Sequence, residues 1–173
     1  MLQPIETVLD IIDVAYSQFL LASWMGGYTD PPGWPSWDDT ARQASKDNWF
    51  VATANQAIVI SGVGFHKAKT SIELWDTEAP DDGEQWDRSR TVKFYSSSGF
   101  ACVDEVGGRV DYTFLDLRLE HQEWWVRASA RPGENPHYQV DMLPEGLEEW
   151  RFQFWPVVHP GRALSQITKR QLP

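Results

Sequence analysis

One cysteine, Cys102, in 173 residues excludes an intramolecular disulfide framework and fits a reducing compartment. No apolar run approaches the roughly 20 residues that a membrane helix needs. Met1 to Val14 holds Glu6, Asp10 and Asp13 without one Lys or Arg, which is not the basic start of a secretory signal. The cytoplasm is therefore the expected location. Positive charge is also scarce, with 15 Lys and Arg against 25 Asp and Glu and a net charge of −10. Arg162, Lys169 and Arg170 fall in residues 158–173, where there is no acid, so the preceding 157 residues carry 12 bases against 25 acids. A phosphate backbone must be neutralised by cations, so direct nucleic-acid binding is not expected, nor is docking on an anionic membrane. A basic protein, a cation or a neutral ligand stay open as partners.

Chemical motifs are missing as well. His66, His121, His137 and His159 make no close pair with Cys or another His at metal-ligand spacing. Ser96-Ser97-Ser98-Gly99 lacks the strand-to-helix elbow of a hydrolase nucleophile. Gly62-x-Gly64 lacks the lysine and the helix of a phosphate loop. Asp81-Asp82-Gly83-Glu84 matches part of a calcium loop, but Pro80 stands where a further acid is needed. The one enzyme-like cluster, Glu120, His121 and Glu123, keeps a small metal-dependent enzyme as a lesser alternative. The expectation is a non-catalytic protein without a cofactor.

What the chain has is acid and aromatic surface. Between Glu73 and Asp87 stand seven carboxylates and no Lys or Arg: Glu73, Asp76, Glu78, Asp81, Asp82, Glu84 and Asp87. Trp75 and Trp86 lie in the same stretch. Such a run is commonly a solvated loop, but interleaved indoles add contact energy that charge alone lacks. Ten Trp, eight Phe and five Tyr exceed what one core of this size needs, so several rings are expected to be partly exposed. Trp34 and Trp37 flank Pro35-Ser36 beside Asp38 and Asp39, where they either staple the Pro-rich loop or form a second contact patch. A sandwich that binds carbohydrate or another ligand through exposed Trp is the main alternative function.

Short alternating runs between turn residues predict an all-β protein, an antiparallel β-sandwich of about nine strands with one short helix near residues 38–46. Residues 1–157 form a single domain in this reading, and 158–173 a tail, extended or disordered. Glu149 to Val157 places Trp150, Phe152 and Phe154 on one face. Arg90 to Tyr95, Phe100 to Val106 and the run of Val110, Tyr112 and Phe114 read as a meander, turning at Ser96–Gly99 and tightly at Gly107-Gly108. Val8 to Ser23 reads as one long or broken strand, and His137 to Met142 as another. Ser36 opens the helix.

Ala15-Tyr16-Ser17-Gln18-Phe19, a Pro-containing loop and Trp37-Asp38-Asp39-Thr40-Ala41 resemble the competence protein J family, whose known members inhibit a DNA-entry nuclease. The likeness extends through Thr91-Val92-Lys93-Phe94 and Trp124-Trp125, and covers about Val14 to Val157. Two features depart from the family: a longer acidic stretch and the tail after Val157. The resemblance implies a shared fold, to which Tyr16, Gln18, Phe19 and Trp37 belong, and an inhibitor of a basic nuclease. The expected contact residues, taken from the charge argument, are Asp76, Glu78, Asp81, Asp82, Glu84, Trp86 and Asp87, with Trp34, Asp38 and Asp39 as a second patch.

Overall fold

A computed structural model of the chain describes residues 3–24, 29–81 and 83–172. In chain order its strands are β1 Glu6–Val14, β2 Gln18–Ser23, β3 Phe50–Ala52, β4 Gln56–Ile60, β5 His66–Leu74, β6 Arg88–Ser96, β7 Phe100–Asp104, β8 Leu115–Asp116, β9 Gln122–Pro132 and β10 Glu145–Pro156. They form two five-stranded sheets, ordered β1-β5-β10-β9-β6 and β3-β4-β2-β7-β8. The architecture is all-β with one short helix. One central pair, β5 with β10, runs parallel rather than antiparallel. No described helix is long and apolar enough to cross a membrane.

Alternation builds the core between the sheets. Trp150, Phe152 and Phe154 point inward from β10 and are 2 % exposed or less. Phe19 from the second sheet meets the Trp150 ring at 5.1 Å and Phe152 at 6.1 Å, and Phe50 meets Phe152 at 6.0 Å. Aromatic pairs, the two made by Phe19 edge-to-face, thus span the two sheets.

The stretch from Val8 to Ser23 is broken, and the break is a tight turn. Tyr16 and Ser17 both have positive φ (54° and 60°), the pairing that a two-residue hairpin turn demands. They link β1 of one sheet to β2 of the other. At Gly107-Gly108 the structure corrects the expected hairpin. The turn closes through the Gly108 amide on the Glu105 carbonyl, but the returning chain regains β7 only at Leu115 and Asp116. Val110, read as a strand residue, is 94 % exposed. The meander is corrected too, because β6 and β7 belong to different sheets and Ser96–Gly99 is a crossing between them.

That crossing leaves backbone groups without a strand partner, and side chains satisfy them. Ser23 Oγ bonds Ser96 Oγ at 2.8 Å and Ser98 Oγ at 2.9 Å, and Ser96 Oγ accepts the Gly99 amide. Asn55 Oδ1 accepts the Ser97 amide at 2.8 Å. His137 to Met142 forms no strand; His137 makes only an isolated bridge to Glu145.

Helix α1 covers Trp37–Gln43, with Ser36 Oγ accepting the Asp39 amide at its start. It ends three residues short of the expected Lys46. After β10 the chain bends, with Gly161 at φ 76°, and forms a 3₁₀ turn at Leu164–Gln166, whose Leu164 is fully buried in the core. Near the end, the Arg170 guanidinium bonds Asp116 Oδ1 at 2.8 Å and the Gly99 carbonyl at 2.9 Å. Burial alone would raise the Asp116 pKa, but hydrogen bonds from Arg170 and Arg118 outweigh it and hold the carboxyl below its ordinary value.

Candidate functional site

The acidic run is the connection between β5 and β6, and the sheet order dictates its path. Strands β10 and β9 lie between those two, so residues 75–87 must cross roughly 14 Å of sheet, three strand spacings. They do so as a strap over the outer face. Trp75 and Ala79 of the strap pack with Trp155 of β10 in a second apolar cluster, with Trp125 alongside. This is why Gln153 and Trp155, on the face of β10 away from the core, are nevertheless buried.

Three arginines on the covered face hold the strap. Arg127 donates to the Ala79 carbonyl at 2.6 Å. Arg131 on β9 and Arg151 on β10 pack on the Trp86 ring, 4.6 and 4.5 Å from its centroid. Glu84 pairs with Arg131 at 3.0 Å and lies 4.0 Å from Arg151. Burial would lower the Arg131 pKa, but the Glu149 hydrogen bond and the charges of Glu84 and Glu149 raise it instead. The last residue, Asp87, donates its amide to the Ala130 carbonyl and so rejoins the sheet.

The strap's carboxylates therefore divide. Glu73 accepts the Trp75 indole and the Gln153 amide, each at 2.9 Å. Asp76 accepts the Leu164 amide and, at 3.2 Å, the Ser165 hydroxyl, which ties the strap to the tail. Glu84 is engaged by arginine. Glu78, Asp81 and Asp87 are exposed, and among the described residues none of the three has an ion-pair partner within 4.0 Å. Asp81 only turns the chain, accepting the Gly83 amide at 3.0 Å. Asp82 lies outside the described residues. Beside the strap, a groove of about 320 Å³ is lined by Leu9, Lys69, Glu84, Trp86, Glu149 and Arg151, with both signs of charge on its walls.

The second patch sits elsewhere. Trp34 is half-buried with its ring 6.1 Å from Tyr95 on edge strand β6. Asp38 is exposed, whereas Asp39 takes part in the helix cap and pairs with Arg42 at 2.8 Å. No hydrogen bond or ion pair joins this patch to the strap among the described residues. Of the ten Trp, Trp37 alone is exposed, at 40 %. The enzyme-like cluster does not converge: Glu120 bonds Arg170 at 3.0 Å, Glu123 lies 3.6 Å from Lys93, and His121 Nδ1 faces the Tyr95 hydroxyl at 3.3 Å. No group of metal-ligating side chains is assembled among the described residues. The arginines that anchor the strap escaped the sequence reading. Their signal was the outward register of Arg127, Arg131 and Arg151.

No family model matches the chain, and no curated protein matches it. Solved structures do. The crystal structure of ComJ from Bacillus subtilis, described as an inhibitor of the DNA-degrading activity of NucA, superposes with a TM-score of 0.55 at 13 % identity. The match covers 91 % of this chain and 99 % of ComJ. A protein described as crocagin biosynthetic gene J matches with a TM-score of 0.55 at 12 % identity, over 88 % of this chain and 98 % of its own. At such identities the likeness establishes a shared fold.

Proposed function

We propose that this protein is a non-catalytic inhibitor that binds a basic protein, a nuclease, through the exposed carboxylates of the strap. The observation that carries the reading is the division of charge on the strap. Every arginine beneath it is consumed by the fold, while Glu78, Asp81 and Asp87 face solvent without a counter-ion among the described residues. A nuclease must present cations to hold phosphates, and an acidic surface fixed on a rigid sheet can occupy that groove in place of DNA. The strap meets the second requirement, because hydrogen bonds and stacked guanidinium groups immobilise it before any partner arrives. ComJ, which shares the fold, is an inhibitor of a DNA-degrading enzyme, and this supports the choice of partner class.

The test is a DNA-degradation assay with the purified protein titrated into a NucA-type nuclease from its own source. Stoichiometric loss of cleavage that weakens steeply with added salt is the expected result. Cleavage unaffected by excess protein at low salt would contradict it.

A further inference from the structure

The outer face of the second sheet carries a cavity that the strap does not touch. Ala22 on β2 lies in register with Gln56 on β4 and with Cys102 on β7. Two small side chains in the middle of this row sink the floor. The segment between β7 and β8 folds back over it and brings Tyr112 and Phe114 as a wall, with ring centroids 5.7 Å apart. Trp24 lines another side, and this half-open cavity has a volume of about 350 Å³, at the small end of the ~300–1,000 Å³ typical of ligand sites.

One carboxylate faces this aromatic enclosure. Asp104 Oδ1 accepts both the Tyr112 hydroxyl at 3.0 Å and the Glu105 amide at 2.8 Å. Its other oxygen accepts no hydrogen bond among the described residues. Arg109 spends its guanidinium on Asp10 in a bidentate pair at 2.8 and 3.2 Å. That guanidinium also stands 5.8 Å from the Tyr112 ring centroid. At the floor the Cys102 thiol is pushed up to about 12, by burial first and then by the charge of Asp104. The cavity thus sets one carboxylate beside aromatic walls, above a floor of Ala22 and Cys102.

We propose that this cavity, walled by Trp24, Tyr112 and Phe114 with Asp104 at its side, is a binding site for a small organic cation, an alkylammonium or guanidinium head. Aromatic faces and a carboxylate with a spare oxygen attract such a head together, and the shallow apolar floor accepts its alkyl part. The site lies on the opposite face of the sandwich from the strap and is independent of the nuclease reading.

The test is a ¹H–¹⁵N titration that follows the Trp24 indole and the Gln56 side-chain amide. Free n-butylammonium is compared with n-pentanol, and the peptide Ac-Gly-Lys-Gly-NH₂ with its norleucine counterpart. Saturable shifts at both reporters with a cation, and with neither neutral analogue, are the expected result; the tighter cationic arm identifies a free or a chain-borne source. In Asp104→Asn the tyrosine keeps its acceptor, so the fold is retained, and cation affinity falls at least about fivefold. Equal shifts with the neutral analogues, an undiminished affinity in Asp104→Asn, or no saturable shift with either cation would overturn the proposal.

Discussion

Asp76 stands at the head of the acidic strap, yet its carboxylate is already occupied, and replacing it separates a structural role from a contact role. One oxygen receives the Leu164 amide and the other the Ser165 hydroxyl at 3.2 Å, on a tail segment whose Leu164 is fully buried. The 3₁₀ turn there has no side-chain cap of its own, since Ala163 precedes it. A hydrogen bond to a charged acceptor contributes about 1.5–3 kcal/mol when buried, and this one is half-buried, so Asp76→Ala is expected to cost about 1–2 kcal/mol. Part of that loss appears locally, because a tail released from the strap no longer protects its amides. The assay is hydrogen exchange at the Leu164 amide together with urea unfolding. Exchange is expected to quicken roughly 5- to 30-fold, the equivalent of that free energy, and Asp76→Asn, which keeps an acceptor, should lose less. Inhibition by folded Asp76→Ala should be unchanged. Unaltered Leu164 exchange, with stability within about 0.5 kcal/mol of the parent protein, would refute the latch.

Gly99 has φ +70°, and a Cβ there would lie 2.2 Å from the Leu119 carbonyl and 2.5 Å from the Arg170 guanidinium. Gly99→Ala is therefore expected to cost about 3 kcal/mol or more by urea unfolding and to free the tail, whereas Gly108→Ala, at φ +73° in open space, should cost only about 1–2 kcal/mol. Equal losses in the two variants would refute the clash. His66 is fully buried with neither ring nitrogen hydrogen-bonded, and burial lowers its pKa against the opposing charge of Glu148. The folded state thus holds it neutral: its contribution is intact above the unfolded value of about 6.5 and is lost as pH falls from there toward the depressed folded value. The stability difference between His66→Leu and the parent should grow in favour of the variant from about pH 7.5 to 5.5. A constant difference would contradict the assignment.

The parts of the fold legible in the sequence are those whose pattern is local. Trp150, Phe152 and Phe154 alternate against polar neighbours, and Ser36 caps the helix three residues before Asp39, so β10 and α1 could be read directly. The turn at Tyr16-Ser17 could not, because neither residue carries the Asn-Gly preference of its backbone conformation. The meander failed for another reason. Alternation in β6 and β7 states that each has a buried face, but not that the two faces belong to different sheets. The acidic run was visible as a connection between strands. Its division into engaged and free carboxylates was not, because Glu84 meets Arg131, and Ala79 meets Arg127, 47 and 48 residues along the chain. Those meetings depend on β9 and β10 lying between β5 and β6.

The most direct measurement is the same nuclease titration with the triple variant Glu78→Lys, Asp81→Lys and Asp87→Lys. These side chains have no ion-pair partner among the described residues, and only Asp81 gives up a hydrogen bond, an exposed one from the Gly83 amide, so unfolding by urea should stay within about 1 kcal/mol of the parent. Reversing three charges at a steered interface replaces attraction with repulsion, and inhibition at low salt is expected to be lost. Full inhibition by the folded triple variant would contradict the strap as the contact surface.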